Sequence, residues 1–576
     1  MMITQVVYPY KSTTYKLLPS LQVQNDIVTE LYHFPLDRHP NNTYNIPMFL
    51  KESSVKRADG KIVTYLHLVE SQWVKEKKRP THKLIYSFGK VTELNKDRIQ
   101  TLARNLLSYI NQDISSLDMD SEIEWSRPYG TSYLVLELAK SLRITQVLRS
   151  NLRKTKISSP VDLAILGMVI NRCINPLSKL KVDEWLKEDI YFPGAEDISL
   201  QHLYRGLDFL ESSKDLLEDE LFWQTRNLFN REVDIVFYDT TSTYIEGRGD
   251  DPCFQFGYSR DHRPDRKQVV IGLATDRDGL PLASFLFPGS TMDVTTVKTM
   301  IERLSKLKVG RVIFVCDRGM VSEDNLKLLE SQGYDYLVGV KLRGLKVVRE
   351  RVLSSRGRYQ KVLENLEVKE VFIEGRRYIV CHNPEEAKRD KLIREEILKE
   401  LTLEIERINT NSLSPCTVLN SSIKKRFVKE LNSGRLTLNK TKVREDARYD
   451  GKYVLLTTES KLSVGELALQ YKNLFRVERA FRGLKNIIDL RPLYHWKEYR
   501  VKAHLSLCVL SYFIQRYAEL KTAQQWDTIQ RHLNRIVATK IFLKNGTVIK
   551  RNQLTTFQKN LLNQLNIKEP PLILGG

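Results

Sequence analysis

The chain has 576 residues, too many for one compact core, and its composition, 41% hydrophobic and 28% charged, predicts about three folded domains and excludes a disordered chain. A net charge of +21 favours a polyanionic partner. Nucleic acid is preferred over an anionic membrane surface, because Lys and Arg are spread along the chain and not gathered on one amphipathic segment. The most apolar runs, from Leu163 and Leu505, fall short of the ~20 residues of a spanning helix. No signal-peptide order is seen, and six cysteines without a CxxC pair indicate neither disulfides nor zinc, so a soluble protein of a reducing cytoplasm is expected.

Taken in chain order, residues 1–125 read as a small basic β/α module suited to DNA contact or to a solvated surface. Strand-like runs IVTYLHLV and THKLIYSFGKV flank the charged segment KEKKRP, and a helix is expected from about Leu94. Residues 126–230 are helical in pattern, with starts at Ser159-Pro160 and at NPLSKLKVDEWL. At Val233 the period changes. VDIVFYD reads as a buried strand ending at Asp239, followed by VVIGLATDRDG and LPLASFLFPGS, with Asp278-Gly279 as the hairpin turn between them. A helix over 294–307 leads to GRVIFVCDRGM, a buried strand ending at Asp317; a second helix and the strand YDYLVGVK follow. Three strands, a helix, then strands alternating with helices is the order of a ribonuclease H-like α/β core. It spans 231–340 and resumes over 452–520. A β-rich inserted domain over 341–451 is the economical reading of the interruption, because a structureless loop of that length inside a compact fold is unusual. Residues 521–576 form a C-terminal tail.

Asp239 and Asp317 each follow an apolar strand-like run, where a sheet presents side chains to solvent while its body stays packed. The third acid comes from YKNLFRVERAFRGLK, read as one helix over 471–485. Leu474, Val477, Phe481 and Leu484 make its apolar stripe, and Glu478 shares a bordering stripe with Tyr471, Arg482 and Lys485. An ordinary i,i+4 pair with Arg482 is the alternative role for Glu478. Three carboxylates suit hard divalent cations, two of which roughly 3.5–4 Å apart can activate the attacking oxygen and stabilise the leaving one in phosphodiester cleavage. Asp276, Asp278 and Asp293 read as turn and cap residues, and Cys381-His382 as a pair without a metal role.

YKNLFRVERAFRGLK, continuing to RPLYHW and KAHL, resembles the third-acid region of bacterial insertion-sequence transposases of the DDE class with a Tyr-Arg-Glu-Lys signature. FYDTTS and FVCDRGM resemble the first and second acid regions of the same family. The resemblance implies a ribonuclease H-like core with a β-rich insertion before the last acid, and Mg²⁺ dependence with Mn²⁺ as a substitute. It implies cut-and-paste movement through DNA partners, the element's terminal inverted repeats and a target, by a homodimer in the synaptic complex of a bacterial cytoplasm, associated with the nucleoid. Carried over, Asp239, Asp317 and Glu478 are the catalytic, metal-binding triad, and Tyr471 and Lys485 the signature Tyr and Lys. The signature Arg is replaced by Leu474, with Arg476 or Arg482 to substitute for it in DNA contact. His495 and Trp496 are candidates for stacking on an unpaired base, or for packing at a domain edge. A non-catalytic DNA-binding regulator and a nuclease on the same fold are the alternative functions.

Overall fold

A computed structural model describes residues 48–56, 62–74, 79–91, 122–229, 235–247, 249–307, 312–410, 413–543 and 546–575. The chain divides into two units, 1–112 and 113–576. In the first, β1 (Met48–Lys56), β2 (Ile62–Val74) and β3 (Arg79–Lys90) make an antiparallel sheet in the order β1-β2-β3, so the two strand-like runs of the sequence pair with one another. The segment KEKK and the helix expected from Leu94 lie outside the described residues.

The second unit opens with β4 (Glu122–Pro128) and a helical layer, α1 (Gly130–Ser141), α2 (Ile144–Leu152), α3 (Val161–Ile174), α4 (Lys179–Glu188) and α5 (Leu200–Phe229). Among the described residues no single helix is long and apolar enough to cross a membrane. The central sheet follows. Its strands β5 (Ile235–Tyr244), β6 (Gln268–Asp276) and β7 (Pro281–Pro288) are antiparallel, and the β6–β7 turn closes where Asp276 accepts from the backbone N–H groups of Asp278 and Leu280 with Gly279 at positive φ. After α6 (Asp293–Lys306), β8 (Ile313–Cys316) lies parallel to β5; after α7 (Glu323–Ser331), β9 (Asp335–Val340) lies parallel to β8.

The inserted segment departs from the expectation of a separate β-rich domain. Strands β10 (Gln360–Leu363), β11 (Leu366–Ile373) and β12 (Arg376–His382) extend the central sheet itself, whose order is β10-β11-β12-β15-β9-β8-β5-β6-β7. Only the following stretch has a core of its own: Leu401, Ile405, Val418, Phe427 and Leu436, from α8 (Pro384–Asn409), α9 (Cys416–Leu419), the turn before β13 (Val428–Glu430) and β14 (Leu436–Leu438), with α10 (Lys440–Ala447) closing it. The chain then returns to the sheet as β15 (Lys452–Thr457), between β12 and β9.

Three helices cover one face of the sheet: α11 (Val464–Lys472), α12 (Phe475–Asn486) and α13 (Glu498–Thr522). Alternate residues of the strands divide between the two faces. Phe237, Val315 and Leu337 pack under these three helices, while Tyr238, Cys316 and Val338 pack under α6 and α7. The last residues are no tail. α14 (Trp526–Leu533), β16 (Val537–Leu543), β17 (Gly546–Arg551), α15 (Thr556–Gln564) and β18 (Ile573–Gly575) fold onto the helical layer, and β16 pairs with β4 in a four-stranded sheet of order β18-β17-β16-β4. The physical reason is burial: Trp526, Ile529, Leu533 and Leu562 complete the core shared by α1, α3 and α5.

Candidate active site

The parallel pairing of β5 with β8 sets Tyr238 opposite Cys316, so the next residues of the two strands are Asp239 and Asp317. Neighbouring strands lie about 4.8 Å apart, which makes the two acids adjacent. By the alternation of faces both fall on the side covered by α11 and α12, in line with Phe237 and Val315. Asp317 ends its strand, exposed, as expected. Asp239 does not: β5 runs on to Tyr244, because Thr240, Ser242 and Thr243 stay in the sheet with their hydroxyls turned to protein groups or buried.

The expected single helix over 471–485 is two. α11 begins at a capping box, Ser463 with Glu466, and ends at Lys472; α12 starts after Leu474. Tyr471 therefore does not share a stripe with Glu478. Its ring stacks on Tyr453 at 5.9 Å and its hydroxyl donates to Asp317 at 3.3 Å. That approach needs the bare backbone of Gly339 on β9, where a Cβ would stand 2.3 Å from the Tyr471 hydroxyl oxygen. Leu474 plugs the break between the helices with its side chain in the core beneath them. A guanidinium in that apolar core would be costly.

α12 packs on β5 and carries Glu478, exposed in its first turn, where a carboxylate is favoured by the helix dipole. Glu478 and Asp317 are both near enough to Asp239 to act on its charge. Burial is the largest influence on the Asp239 carboxyl and, with these two like charges, pushes it up to about 7, against the backbone N–H of Thr240 and the Arg260 guanidinium, which favour the ionised form. Two further groups had no role at the site in the sequence reading. Asp293, read as a helix-start residue, does open α6, and it also accepts from the Thr240 hydroxyl at 2.6 Å and from Arg260 at 2.6 Å. A Cβ on Gly319 would lie 3.6 Å from its Oδ2, so it borders the turn after Asp317. No spacing in the sequence singles out Arg260; it is placed by its backbone N–H donating to Ser242.

The expected DNA-contact residues divide. Arg482 is exposed and makes no ion pair among the described residues. Trp496 is 70% exposed, whereas His495 is half-buried beside His504, and burial followed by the charges of Lys179, Arg500 and Arg172 holds its imidazole down to about 4. Lys485 is turned inward. Its ammonium donates to the Ser242 carbonyl at 2.7 Å and to Asp261 at 2.8 Å, and Asp261 also takes Arg491 at 2.6 Å. Arg476 donates to the Arg277 carbonyl and lies 3.5 Å from Asp278, tying α12 to the β6–β7 turn. Arg476→Ala is expected to cost about 1 kcal/mol in urea unfolding and to leave the salt dependence of DNA binding unchanged. A reduced salt slope with intact stability would instead make Arg476 a phosphate contact.

Among the described residues no three His, Cys, Asp or Glu side chains stand close enough to hold a metal ion in the present rotamers. The donor set nevertheless fits a hard divalent cation. It is all oxygen, it comes from two adjacent strands and one helix, and burial disfavours the bare charge of its most enclosed member, which a cation would offset.

Residues 233–514, just under half of the chain, match the family described as transposase DDE domain, and this segment holds all three acids. The match is confined to that part of the molecule. No curated protein matches the chain. Among solved structures the chain is similar to the piggyBac transposase in its synaptic complex with hairpin DNA, with a TM-score of 0.35 and 10% identity over 70% of this chain and 78% of that one, a likeness too distant to bear on the fold.

Proposed function

We propose that the protein is a DNA transposase with a ribonuclease H-like core, cleaving at the ends of a bacterial insertion sequence and transferring the freed 3′ hydroxyls to target DNA as a homodimer, in the cytoplasm and on the nucleoid. The observation that carries this reading is the β5–β8 register, which sets Asp239 beside Asp317 under the helix that bears Glu478. These three residues would hold Mg²⁺, or Mn²⁺ in its place; such a pair of ions supplies Lewis-acid stabilisation of the charge that develops on the phosphate. The chain's own part is preparatory. Burial raises the Asp239 carboxyl so that a proton and a cation compete for it near neutral pH, Tyr471 donates to the Asp317 carboxylate and orients it, and Arg482 with the exposed Trp496 offers contacts to a phosphate and a base.

The test uses the full chain with a DNA fragment carrying the sequences that flank its reading frame. Nicked and joined products are expected with MgCl₂ and none with EDTA, and Asp239→Ala, Asp317→Ala and Glu478→Ala each abolish both. Full nicking by any one variant would remove the triad assignment. Nicking without joined products would mark a nuclease, and tight binding without scission on any DNA a regulator. With a net charge of +21, DNA affinity is expected to fall steeply between 50 and 200 mM salt, by on the order of 10³-fold for six or more phosphate contacts. An affinity flat across that range would contradict the electrostatic basis of the reading.

A further inference from the structure

The end of the sheet that carries Asp317 continues into a cleft of about 730 Å³ between β9, β15 and the inserted subdomain. Six of its lining residues are cations, Arg318, Lys341, Arg343, Arg394, Arg426 and Lys452, against three acids. The acids are all engaged within the protein: Asp446 by Arg343 at 2.8 Å and Arg426 at 3.6 Å, Asp450 by Arg394, and Asp390 by the backbone N–H of Gly451 at 2.9 Å. The excess charge therefore rests on Arg318, Lys341 and Lys452. Lys452 is turned to the Arg448 carbonyl, while Arg318 and Lys341 are exposed and have no ion-pair partner among the described residues.

Their placement is fixed by the same register that builds the site. Cys316 of β8 lies opposite Val338 of β9, so Asp317 faces Gly339, and Lys341 lies two residues beyond, at the same end of the sheet as Arg318. The two unpaired cations thus stand at the mouth of the cleft next to the second acid. One wall is the Tyr449 ring, with the Arg343 guanidinium 5.0 Å over it, an aromatic and cationic pairing of the kind that receives bases and phosphates of unpaired strands. The volume falls within the range of pockets for molecules of drug size, enough for a few nucleotides and too small for a duplex.

We propose that this cleft binds a short single-stranded stretch of DNA running from the Asp317 side of the site, with Arg318 and Lys341 on its phosphates. The proposal rests on the reading of the chain as a DNA-processing enzyme, but its test does not involve cleavage. Full-length protein in EDTA is titrated with fluorescent dT12 and, separately, with a blunt 20-base-pair duplex of arbitrary sequence. The double variant Arg318→Ala, Lys341→Ala is expected to bind dT12 about tenfold more weakly, with a salt slope reduced by about 1.4, roughly 0.7 for each lost phosphate contact. Its duplex affinity is expected to change less than twofold. Lys341→Arg, which keeps the charge at an exposed position, retains dT12 affinity. An unchanged dT12 affinity in the double variant, or an equal loss on dT12 and duplex, overturns the proposal. Should the acid variants retain nicking while the cleft variants lose dT12, the triad reading fails and the cleft stands; the reverse pattern separates them the other way.

Discussion

Asp239→Asn is expected to abolish DNA cleavage, by on the order of 10³-fold or more, while making the metal-free protein more stable at neutral pH. The second half follows from the carboxyl being pushed from 3.8 to about 7, chiefly by burial. Between about pH 4 and pH 7 the folded chain keeps a proton that the unfolded chain has released, so this group's contribution is least unfavourable below pH 4 and falls as pH rises towards 7. Asn keeps the acceptor for the Thr240 N–H, now at 2.7 Å, and removes the charge. The full effect would be at most ~4 kcal/mol, and the remaining solvent contact of the half-buried side chain halves it to about 2 kcal/mol. Melting of the two proteins in EDTA should coincide near pH 4 and diverge by a few degrees at pH 8, the variant higher. Added MgCl₂ should raise the wild type and not the variant. A variant that melts below the wild type at pH 8 would show that Asp239 is held by structural bonds and not strained for a cation.

The second large effect concerns a residue with no side chain. Gly339→Ala places a methyl 2.3 Å from the Tyr471 hydroxyl oxygen on a strand paired on both sides, so the strand cannot give way and the tyrosine must. A cost of about 2–3 kcal/mol is expected, together with on the order of 10²-fold slower cleavage, because Tyr471 leaves Asp317 and the start of α12 shifts with it. Tyr471→Phe alone should cost about 1 kcal/mol. Combined with Gly339→Ala it removes the nearest atom and leaves the ring carbon at 3.2 Å, so the double variant should be more stable than Gly339→Ala alone by urea unfolding. Additive losses would show that the methyl meets something other than this hydroxyl.

The parts of the fold set by local pattern were legible. The β6–β7 hairpin was marked by Asp278-Gly279, β8 by an apolar run before Asp317, and α7 was expected in its place before the strand YDYLVGVK. Asp239 was singled out as an acid after a buried run, but its strand was cut short there because the polar Thr and Ser residues that follow read as a strand end. Thr240 and Ser242 are tolerated in β5 because Arg260, Asp293 and the backbone satisfy them, groups that meet them only in the folded chain. The break at Asn473-Leu474 escaped notice for a related reason. No Pro or Gly marks it, and two short helices in near register keep one apparent period; the break is held by the stacking of Tyr471 on Tyr453 and the burial of Leu474. Lys485 looked like a surface cation because its partner, Asp261, lies on a distant loop. Alternation likewise cannot tell which sheet a strand joins, so β10–β12 and the pairing of β4 with β16 were out of reach of sequence periodicity.

Helix α13 bears on how the molecule can be taken apart. Leu507, Phe513, Ile514 and Tyr517 on it belong to the core of the helical layer, while Val501, Leu505, Cys508 and Tyr512 belong to the core under the sheet, so one continuous helix is the inner wall of both. The family match stops at residue 514, inside that helix. The matched region is thus not a module that folds by itself: cut out along its boundaries it would carry a helix shortened at residue 514, with the wall that faces the helical layer bare.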